Sequence, residues 1–262
     1  MKPPRDARSH RPSPRPSGDL LEGRNPVLEC LTRNRRQVRR ILLDQGARPV
    51  DKVLKILDLA RSRGIPVQPA SRPELDALSV SGVHNGVIAF ADPLPEISLR
   101  TCLESLDALG VDPFIVLVDE PQYEQNVGAI LRTALGTGVH ALVIPTARGK
   151  GLTPVVQRVA MGAAEEVPLI REGISSCLAL LQRRAVRIVG ADMDGVPPWT
   201  VDLRGPLALV LGGEDKGLTD PIRKRCDAIV GIPLQGGLAS LNLSVSAGAL
   251  LVERVRQVRG ST

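Results

Sequence analysis

Apolar residues in the C-terminal part of the chain form short uninterrupted runs that alternate with stretches of helical periodicity. The runs cover residues 114–118, 141–144, 186–189, 207–211 and 228–232. Aliphatic runs without polar alternation are typical of strands buried on both faces of a parallel sheet. Because helical patterns separate the runs, the sequence predicts a mainly parallel α/β domain covered on both faces, over residues 113–262.

A second, smaller α/β pattern lies in residues 19–92. A helix is predicted to begin at Asn25, as the N-cap before Pro26, and another to cover residues 53–60. Strands are predicted at residues 38–43, 65–67 and 87–91. Prolines and a glycine in residues 93–112 predict a linker between the two domains.

The N-terminal tail and the overall composition favour a nucleic-acid partner only weakly. Residues 1–18 contain five basic residues, five prolines and one aspartate, which predicts a disordered basic tail. Salt-sensitive contact with phosphates and no role at all are both open for this tail. The net charge of +6 and the pI of about 9.5 favour a polyanionic partner. Because only 2% of the residues are aromatic, the core must be aliphatic.

Several function classes are excluded by absent sequence patterns. The four cysteines form no CxxC pair and the three histidines lack metal-ligand spacing, so no metal site and no disulfide framework is expected. Dinucleotide-binding GxGxxG, Walker A and GxSxG sequences are also missing. The aliphatic runs are too short to span a membrane and no signal-peptide core is found, so a cytoplasmic location is expected.

Three polar clusters, at residues 126–132, 212–217 and 240–244, each follow an apolar run. In open α/β sheets, ligands bind outside the carboxyl ends of the strands, so we expect the clusters to form one site. Asn126 is predicted to cap a helix, and Arg132 lies off the apolar stripe of that helix. A simple cap and a surface charge remain the alternatives. Small residues around Gly248 predict close packing against the last helix.

In this order and spacing, the three clusters resemble the motifs of the SpoU (TrmH) family of RNA ribose 2′-O-methyltransferases, within the SPOUT superfamily. The resemblance covers residues 112–258. Two further segments, residues 23–27 (GRNPV) and 83–87 (VHNGV), resemble the family's small, L30e-like substrate-binding domain. They are most similar to the RlmB-like subgroup, which methylates a guanosine of 23S rRNA. The resemblance implies a deep trefoil knot and a homodimer with the active site at the interface.

The resemblance also assigns roles to individual residues. It implies that S-adenosylmethionine is the methyl donor and that Arg132 is catalytic, as either base or electrostatic stabiliser, with the substrate phosphate as another proton acceptor. The other catalytic candidates are Asn126, Glu214, Ser240 and Asn242. The cofactor-binding candidates are Leu211, Gly212, Gly217, Ile232 and Leu241.

The N-terminal domain supplies the candidates for RNA binding. They are Arg24, Arg33, Arg35, Arg36 and Arg39, most of which surround one helix-to-strand turn. A solvated charge run is an equal alternative for this cluster. Methylation of transfer RNA and a non-catalytic role in ribosome assembly are the remaining functional alternatives, because catalytic motifs do not encode the choice of target.

Overall fold

A computed structural model of the chain describes residues 18–46, 50–147, 151–213, 217–237 and 240–260. The N-terminal domain holds a sheet of β1 (Asp19–Glu22), β2 (Val38–Asp44), β3 (Val67–Ala70) and β4 (Val87–Ala91). Its strands are arranged in the order β1-β4-β2-β3, in which only β2 and β3 are parallel. Its helices are α1 (Arg24–Arg33), α2 (Asp51–Ser62) and α3 (Arg72–Leu78).

The helix α1 begins earlier than the sequence predicted. Gly23, not Asn25, is its N-cap residue, and the Gly23 carbonyl accepts a hydrogen bond from the Val27 amide at 3.3 Å. The Asn25 side chain instead accepts a hydrogen bond from Lys52 Nζ at 2.6 Å. Gly23 has φ of 100°, a backbone conformation that favours glycine. The turn that starts α1 therefore depends on this glycine rather than on a side-chain cap.

The C-terminal domain begins with α4 (Leu99–Ala108), β5 (Phe114–Val118), α5 (Glu124–Gly136), β6 (Ala141–Ile144), α6 (Pro154–Ala160), β7 (Leu169–Arg171) and α7 (Ile174–Arg183). It continues with β8 (Arg187–Val196), β9 (Leu207–Leu211), α8 (Asp220–Arg223), β10 (Ala228–Val230) and α9 (Leu243–Arg259). All described strand pairs of its sheet are parallel, in the order β10-β8-β9-β5-β6-β7. The prediction of a mainly parallel sheet is therefore confirmed.

Helices cover both faces of this sheet, as its uniformly apolar strands require. Ile130 of α5, Val156 of α6 and Leu250 of α9 are buried against one face. Leu103 of α4 and Leu178 of α7 are buried against the other. The helix α4 lies within residues 93–112, which were predicted as a linker. Its apolar residues pack on the sheet, so the extended connection between the domains is much shorter than predicted.

The strand order places a topological switch between β5 and β9. From β5 the chain builds the sheet outward through β6 and β7, whereas β9 pairs with β5 on its other side and leads to β8 and β10. In parallel sheets, ligands bind in the crevice outside the carboxyl ends of the strands at such a point. The ends of β5, β8, β9 and β10 therefore define where a site is expected.

A buried ion-pair network joins the two domains. Arg36, between α1 and β2, donates to Glu165 Oε1 at 2.5 Å, to Asp19 Oδ2 at 2.5 Å and to Gln157 Oε1 at 2.6 Å. Glu165 and Gln157 belong to the C-terminal domain. Burial by itself lowers the pKa of Arg36, but the adjacent Glu165 carboxylate outweighs it, so the pKa of Arg36 is raised.

This network corrects the prediction that Arg36 contacts RNA. The Arg36 side chain is only 1% exposed, and that of Glu165 is 2% exposed. A phosphate cannot reach a guanidinium that is enclosed in this way. Arg36 therefore holds the two domains together and is no longer a candidate for contact with RNA.

Candidate active site

A cavity of about 430 Å³ lies outside the carboxyl ends of β8, β9 and β10. It contains all five of the predicted cofactor-binding residues, namely Leu211, Gly212, Gly217, Ile232 and Leu241. Ser240, one of the catalytic candidates, also lines it. Segments that lie far apart in the sequence thus meet at the switch point of the sheet. The specific roles of these residues remain predictions.

The turn after β9 depends on a close approach of two backbone segments. A Cβ atom at Gly212 would lie 2.2 Å from the carbonyl carbon of Gly217, a distance that no side chain tolerates. Gly213 and Gly217 exchange two backbone hydrogen bonds, each at 3.1 Å, which close the turn. Glu214, the acidic catalytic candidate, lies outside the described residues. The glycines of this turn therefore shape one wall of the cavity.

Asp192 is a cavity residue that the sequence analysis missed. Its Oδ2 accepts hydrogen bonds from the Leu218 amide and from Arg223 Nη1, both at 3.2 Å, while its Oδ1 accepts one from the Met193 amide at 2.7 Å. The hydrogen bond with Asp194 raises the pKa of Arg223. Asp192 thus ties the end of β8 to the segment that follows the glycine turn.

The signal that could have identified Asp192 is the polar alternation after the apolar run of β8. The prediction ended that strand at residue 189, whereas the strand continues to Val196. Its extension is paired with the end of β10, because the Gly231 amide donates to the Val196 carbonyl at 2.8 Å. Asp192, which lies on this extension, lines the cavity.

Two asparagines connect the first and third polar clusters. Asn242 Nδ2 donates to Asn126 Oδ1 at 3.1 Å, and Asn242 Oδ1 caps α9 by accepting from the Ser244 amide at 2.9 Å. Asn126 itself is buried and is not the N-cap that the sequence predicted. The cap position belongs to Tyr123, so Asn126 lies inside the first turn of α5. Its amide group is thereby directed to the start of α9.

Arg132 lies away from this cavity. It is exposed on α5, six residues beyond Asn126, and does not line the cavity wall of its own protomer. Among the described residues it has no ion-pair or hydrogen-bond partner. The neighbouring Leu135 and the α9 residues Val245 and Val252 are exposed apolar side chains. The fold of the chain therefore brings Asn126, Ser240 and Asn242 close to the cavity, but leaves the predicted catalytic arginine outside it.

The close packing predicted for Gly248 is not observed within the protomer. A Cβ atom there would lie 4.0 Å from Thr133 Cγ2, which is ordinary van der Waals contact. The contacts within the chain would therefore allow an alanine at this position.

Of the other predicted RNA-binding arginines, Arg33, Arg35 and Arg39 are exposed and Arg24 is half-buried, and they differ in their partners. Arg39 forms two hydrogen bonds with the Asp92 carboxylate, each at 2.8 Å, which raise its pKa. Arg33 pairs with Glu166 at 3.2 Å, and Arg24 donates to the Asn85 carbonyl at 3.0 Å. Arg35 donates to the Glu165 carbonyl at 3.0 Å. Exposed pairs of this kind are weak and can exchange partners, so these arginines stay candidates for phosphate contact.

The cavity fits S-adenosylmethionine in size and in chemistry. Its volume is within the range of small-molecule sites, about 300–1,000 Å³. Leu211, Ile232 and Leu241 offer apolar surface for an adenine ring. Gly212 and Gly217, which carry no side chain, line the cavity with main-chain atoms. No side-chain cluster suited to a metal ion occurs among the described residues. Within the same residues, no helix is long and apolar enough to cross a membrane.

Comparison with known proteins agrees with this geometry. Residues 113–252 match the model of the SpoU rRNA methylase family, and residues 20–97 match that of the RNA 2′-O ribose methyltransferase substrate-binding domain. Among curated relatives, the 23S rRNA (guanosine-2′-O-)-methyltransferase RlmB of Pseudomonas putida is 36% identical over 91% of this chain and 96% of its own length. RlmB of Escherichia coli K12 is 34% identical over 91% of this chain and 98% of its own length.

A solved structure extends the similarity to three dimensions. The SpoU methyltransferase AviRb from Streptomyces viridochromogenes, in complex with the cofactor AdoMet, superposes with a TM-score of 0.75 at 27% identity, over 93% of this chain and 91% of its own. The predictions of a methyltransferase and of S-adenosylmethionine as its cofactor agree with these findings. The chain belongs to the SpoU rRNA methylase family.

Proposed function

We propose that this protein transfers a methyl group from S-adenosylmethionine to the ribose 2′-oxygen of a guanosine in 23S rRNA. The observation that carries the proposal is the convergence of the second and third polar clusters on one cavity, with the first joined to it through the bond between Asn126 and Asn242. The RlmB relatives, which are 23S rRNA (guanosine-2′-O-)-methyltransferases, support the choice of guanosine and of 23S rRNA. When bound, the donor supplies a methyl group on a positively charged sulfonium.

The residues of this chain bind the donor, orient the ribose and stabilise the charge that develops during methyl transfer. Leu211, Ile232 and Leu241 hold the adenosine part of the donor, and the Gly212 turn excludes water from it. The bond between Asn126 and Asn242 orients the segment around Ser240, at the mouth of the cavity where the ribose must lie. The 2′-hydroxyl loses its proton as it attacks. Glu214 remains a candidate for contact with the reacting groups.

Arg132 acts as an electrostatic stabiliser in this proposal. A guanidinium has a pKa above about 12 and keeps its proton, so it is poorly suited as a base. It can instead bind the phosphate beside the target nucleotide and stabilise the charge that develops as the hydroxyl loses its proton. The substrate phosphate is then the proton acceptor. Arg132→Ala should lower methyl transfer by orders of magnitude while donor binding, measured by calorimetry, stays nearly unchanged.

The exposed position of Arg132 favours a homodimer. Arg132 and the apolar residues Leu135, Val245 and Val252 lie exposed on α5 and α9, two helices that pack against each other. We propose that this face pairs with a second copy and carries Arg132 to the cavity of the partner. We also propose that α9 passes through the loops around the cavity as a trefoil knot. Leu243 and Leu250 of α9 line the same cavity as the Gly212 turn and Ile232, which supports this part of the proposal.

Mixed dimers test the position of Arg132 directly. Arg132→Ala protein is combined with Leu241→Arg protein, whose donor cavity is blocked, after co-expression with two different affinity tags. If Arg132 acts across the interface, each mixed dimer has one intact site out of two, so mixed dimers isolated through both tags should show roughly half of the wild-type rate. If Arg132 acts within its own protomer, no intact site exists and the mixture stays inactive. That result would remove the shared site from the proposal.

The reaction itself is tested by mapping ribose methylation in ribosomal RNA from cells with and without this protein. One guanosine of 23S rRNA should lose its 2′-O-methyl group when the protein is absent and regain it on addition of purified protein and donor. A change confined to transfer RNA would redirect the proposal to that substrate. Failure to bind the donor in calorimetry would favour a non-catalytic assembly factor instead.

A further inference from the structure

A second cavity, of about 220 Å³, lies at the junction of the two domains. Arg35 of the N-terminal domain and Arg171 of the C-terminal domain both line it, together with the apolar residues Leu94, Pro95 and Leu169. It shares no lining residue with the donor cavity. A pair of guanidinium groups beside an apolar wall suits a nucleotide, because the phosphate meets the arginines and the sugar and base meet the wall.

The two arginines keep most of their charge available. Arg35 Nη1 donates to the Glu165 carbonyl and Arg171 Nη2 to the Thr146 carbonyl, each at 3.0 Å. Neither guanidinium has a carboxylate partner among the described residues. The lining residue Asp19 is already paired with Arg36 at 2.5 Å, and Glu96 is exposed. Carbonyl partners orient a guanidinium without neutralising it, so the junction cavity presents two oriented positive charges.

The position of Arg171 relates this cavity to the donor cavity. Arg171 is the last residue of β7, so it lies on the carboxyl edge of the sheet, as the donor cavity does. The strand β7 is separated from β5 by β6 alone. Because neighbouring strands lie about 4.8 Å apart, Arg171 is roughly 10 Å from the end of β5, which leads into α5 and Asn126. One RNA strand along this edge can reach both cavities.

We propose that the junction cavity binds a backbone phosphate of the same RNA strand whose ribose is methylated, through Arg35 and Arg171. The inference rests on the proposed function, since it adds a second contact to the same substrate. The docked domains place one arginine on each side of the phosphate, so RNA binds across the junction rather than to the N-terminal domain alone. Leu94 and Pro95 pack against the nucleotide that carries the phosphate.

The test compares Arg35→Gln, Arg171→Gln and the double variant with Arg187→Gln as the matched control. Arg187 also donates to a backbone carbonyl, that of Asp202 at 2.7 Å, but it lies at the opposite, amino edge of the sheet. Binding of a 23S rRNA fragment is measured as a function of salt concentration. Each cavity variant should bind roughly tenfold more weakly, since hydrogen bonds to charged groups are worth this much. The double variant should lower the slope of log K against log salt by about 0.7 per lost phosphate.

Two additional measurements separate this inference from folding effects and from the proposed function. Leu94→Glu places a negative charge in the cavity and leaves both arginines in the sequence. It should weaken RNA binding, while donor binding measured by calorimetry is unchanged. An unchanged slope in the double variant, or an equal loss in Arg187→Gln, would overturn the inference. Binding of guanosine monophosphate as tightly as RNA would also overturn it, because it would indicate a small-ligand site. Failure of the proposed function would instead appear as a lack of methyl transfer by the unmutated protein.

Discussion

Arg36→Met should destabilise the protein strongly. The side chains of Arg36 and Glu165 are 1% and 2% exposed, so the substitution leaves a buried carboxylate without its cation. Glu165 Oε1 loses both guanidinium donors, and Oε2 already has no hydrogen-bond partner. Removing one partner of a buried ion pair costs about 3–5 kcal/mol. This is a large part of the roughly 5–15 kcal/mol by which native proteins are stable.

Urea unfolding of the single variants and of Arg36→Met/Glu165→Met measures this cost. Replacement of a buried pair by apolar residues is often neutral or stabilising, so the double variant should recover most of the stability lost by Arg36→Met. The difference between the double variant and the sum of the singles then gives the coupling energy of the pair. In Arg36→Met/Glu165→Met, whose junction is again closed, binding of an rRNA fragment should keep the wild-type salt slope, because Arg36 contacts no phosphate.

Two results would refute this reasoning. If Arg36→Met lowers the free energy of unfolding by less than about 1 kcal/mol, the guanidinium is not enclosed as the structure describes, because a surface pair is worth no more than that. If Arg36→Met/Glu165→Met flattens the salt slope of RNA binding as Arg35→Gln/Arg171→Gln is expected to, Arg36 contacts RNA after all. The original sequence prediction would then be reinstated.

Three further predictions concern the donor cavity and the thiol at the junction. Gly212→Ala should abolish donor binding in calorimetry because its Cβ would overlap the backbone of the turn, whereas Gly136→Ala, with open space around it, should leave binding unchanged. Asn242→Ala should lower the melting temperature, since loss of an N-cap costs about 1 kcal/mol. It should also reduce methyl transfer because Asn126 loses its hydrogen bond with Asn242, and Asn242→Ser should restore the cap alone. Burial, aided by Glu165, raises the pKa of Cys30 to about 12. Iodoacetamide labelling of Cys30 in the native protein should therefore stay slow at pH 8 and become faster as the pH rises. Rapid labelling at pH 8 would contradict this, because only about one thiol in ten thousand would be ionised there.

The parallel sheet could be predicted because its strands are buried on both faces. The runs at β5, β6 and β9 have no polar residue and match the observed bounds. The strand β7 was missed because it is short and ends in an arginine, and α4 was missed because prolines precede it. Short edge strands and helices next to prolines carry little periodicity. Their place in the fold is decided by contacts with distant parts of the chain.

The position of the cavity could be predicted because its residues lie near the ends of buried strands. Gly212 follows directly after β9 and Ile232 lies two residues after β10, so the rule that parallel strands end at a common edge brings these cavity residues together. The network of Asp192 depends on Arg223, which lies far along the chain, and no local pattern reveals such a pair. Local periodicity predicts which edge of the sheet holds the site, but long-range hydrogen bonds decide which side chains complete it.

The arginines of the turn between α1 and β2 are close in sequence but lie in different environments. Arg36 is enclosed in the junction, Arg35 lines the junction cavity, and Arg39 forms an exposed pair with Asp92. The burial of Arg36 is what brings Arg35 to the same cavity as Arg171. The buried ion pair and the proposed phosphate contact are therefore coupled, because a loosened junction would separate the two arginines. Stability of the domain interface thereby becomes a condition for RNA binding along the carboxyl edge of the sheet.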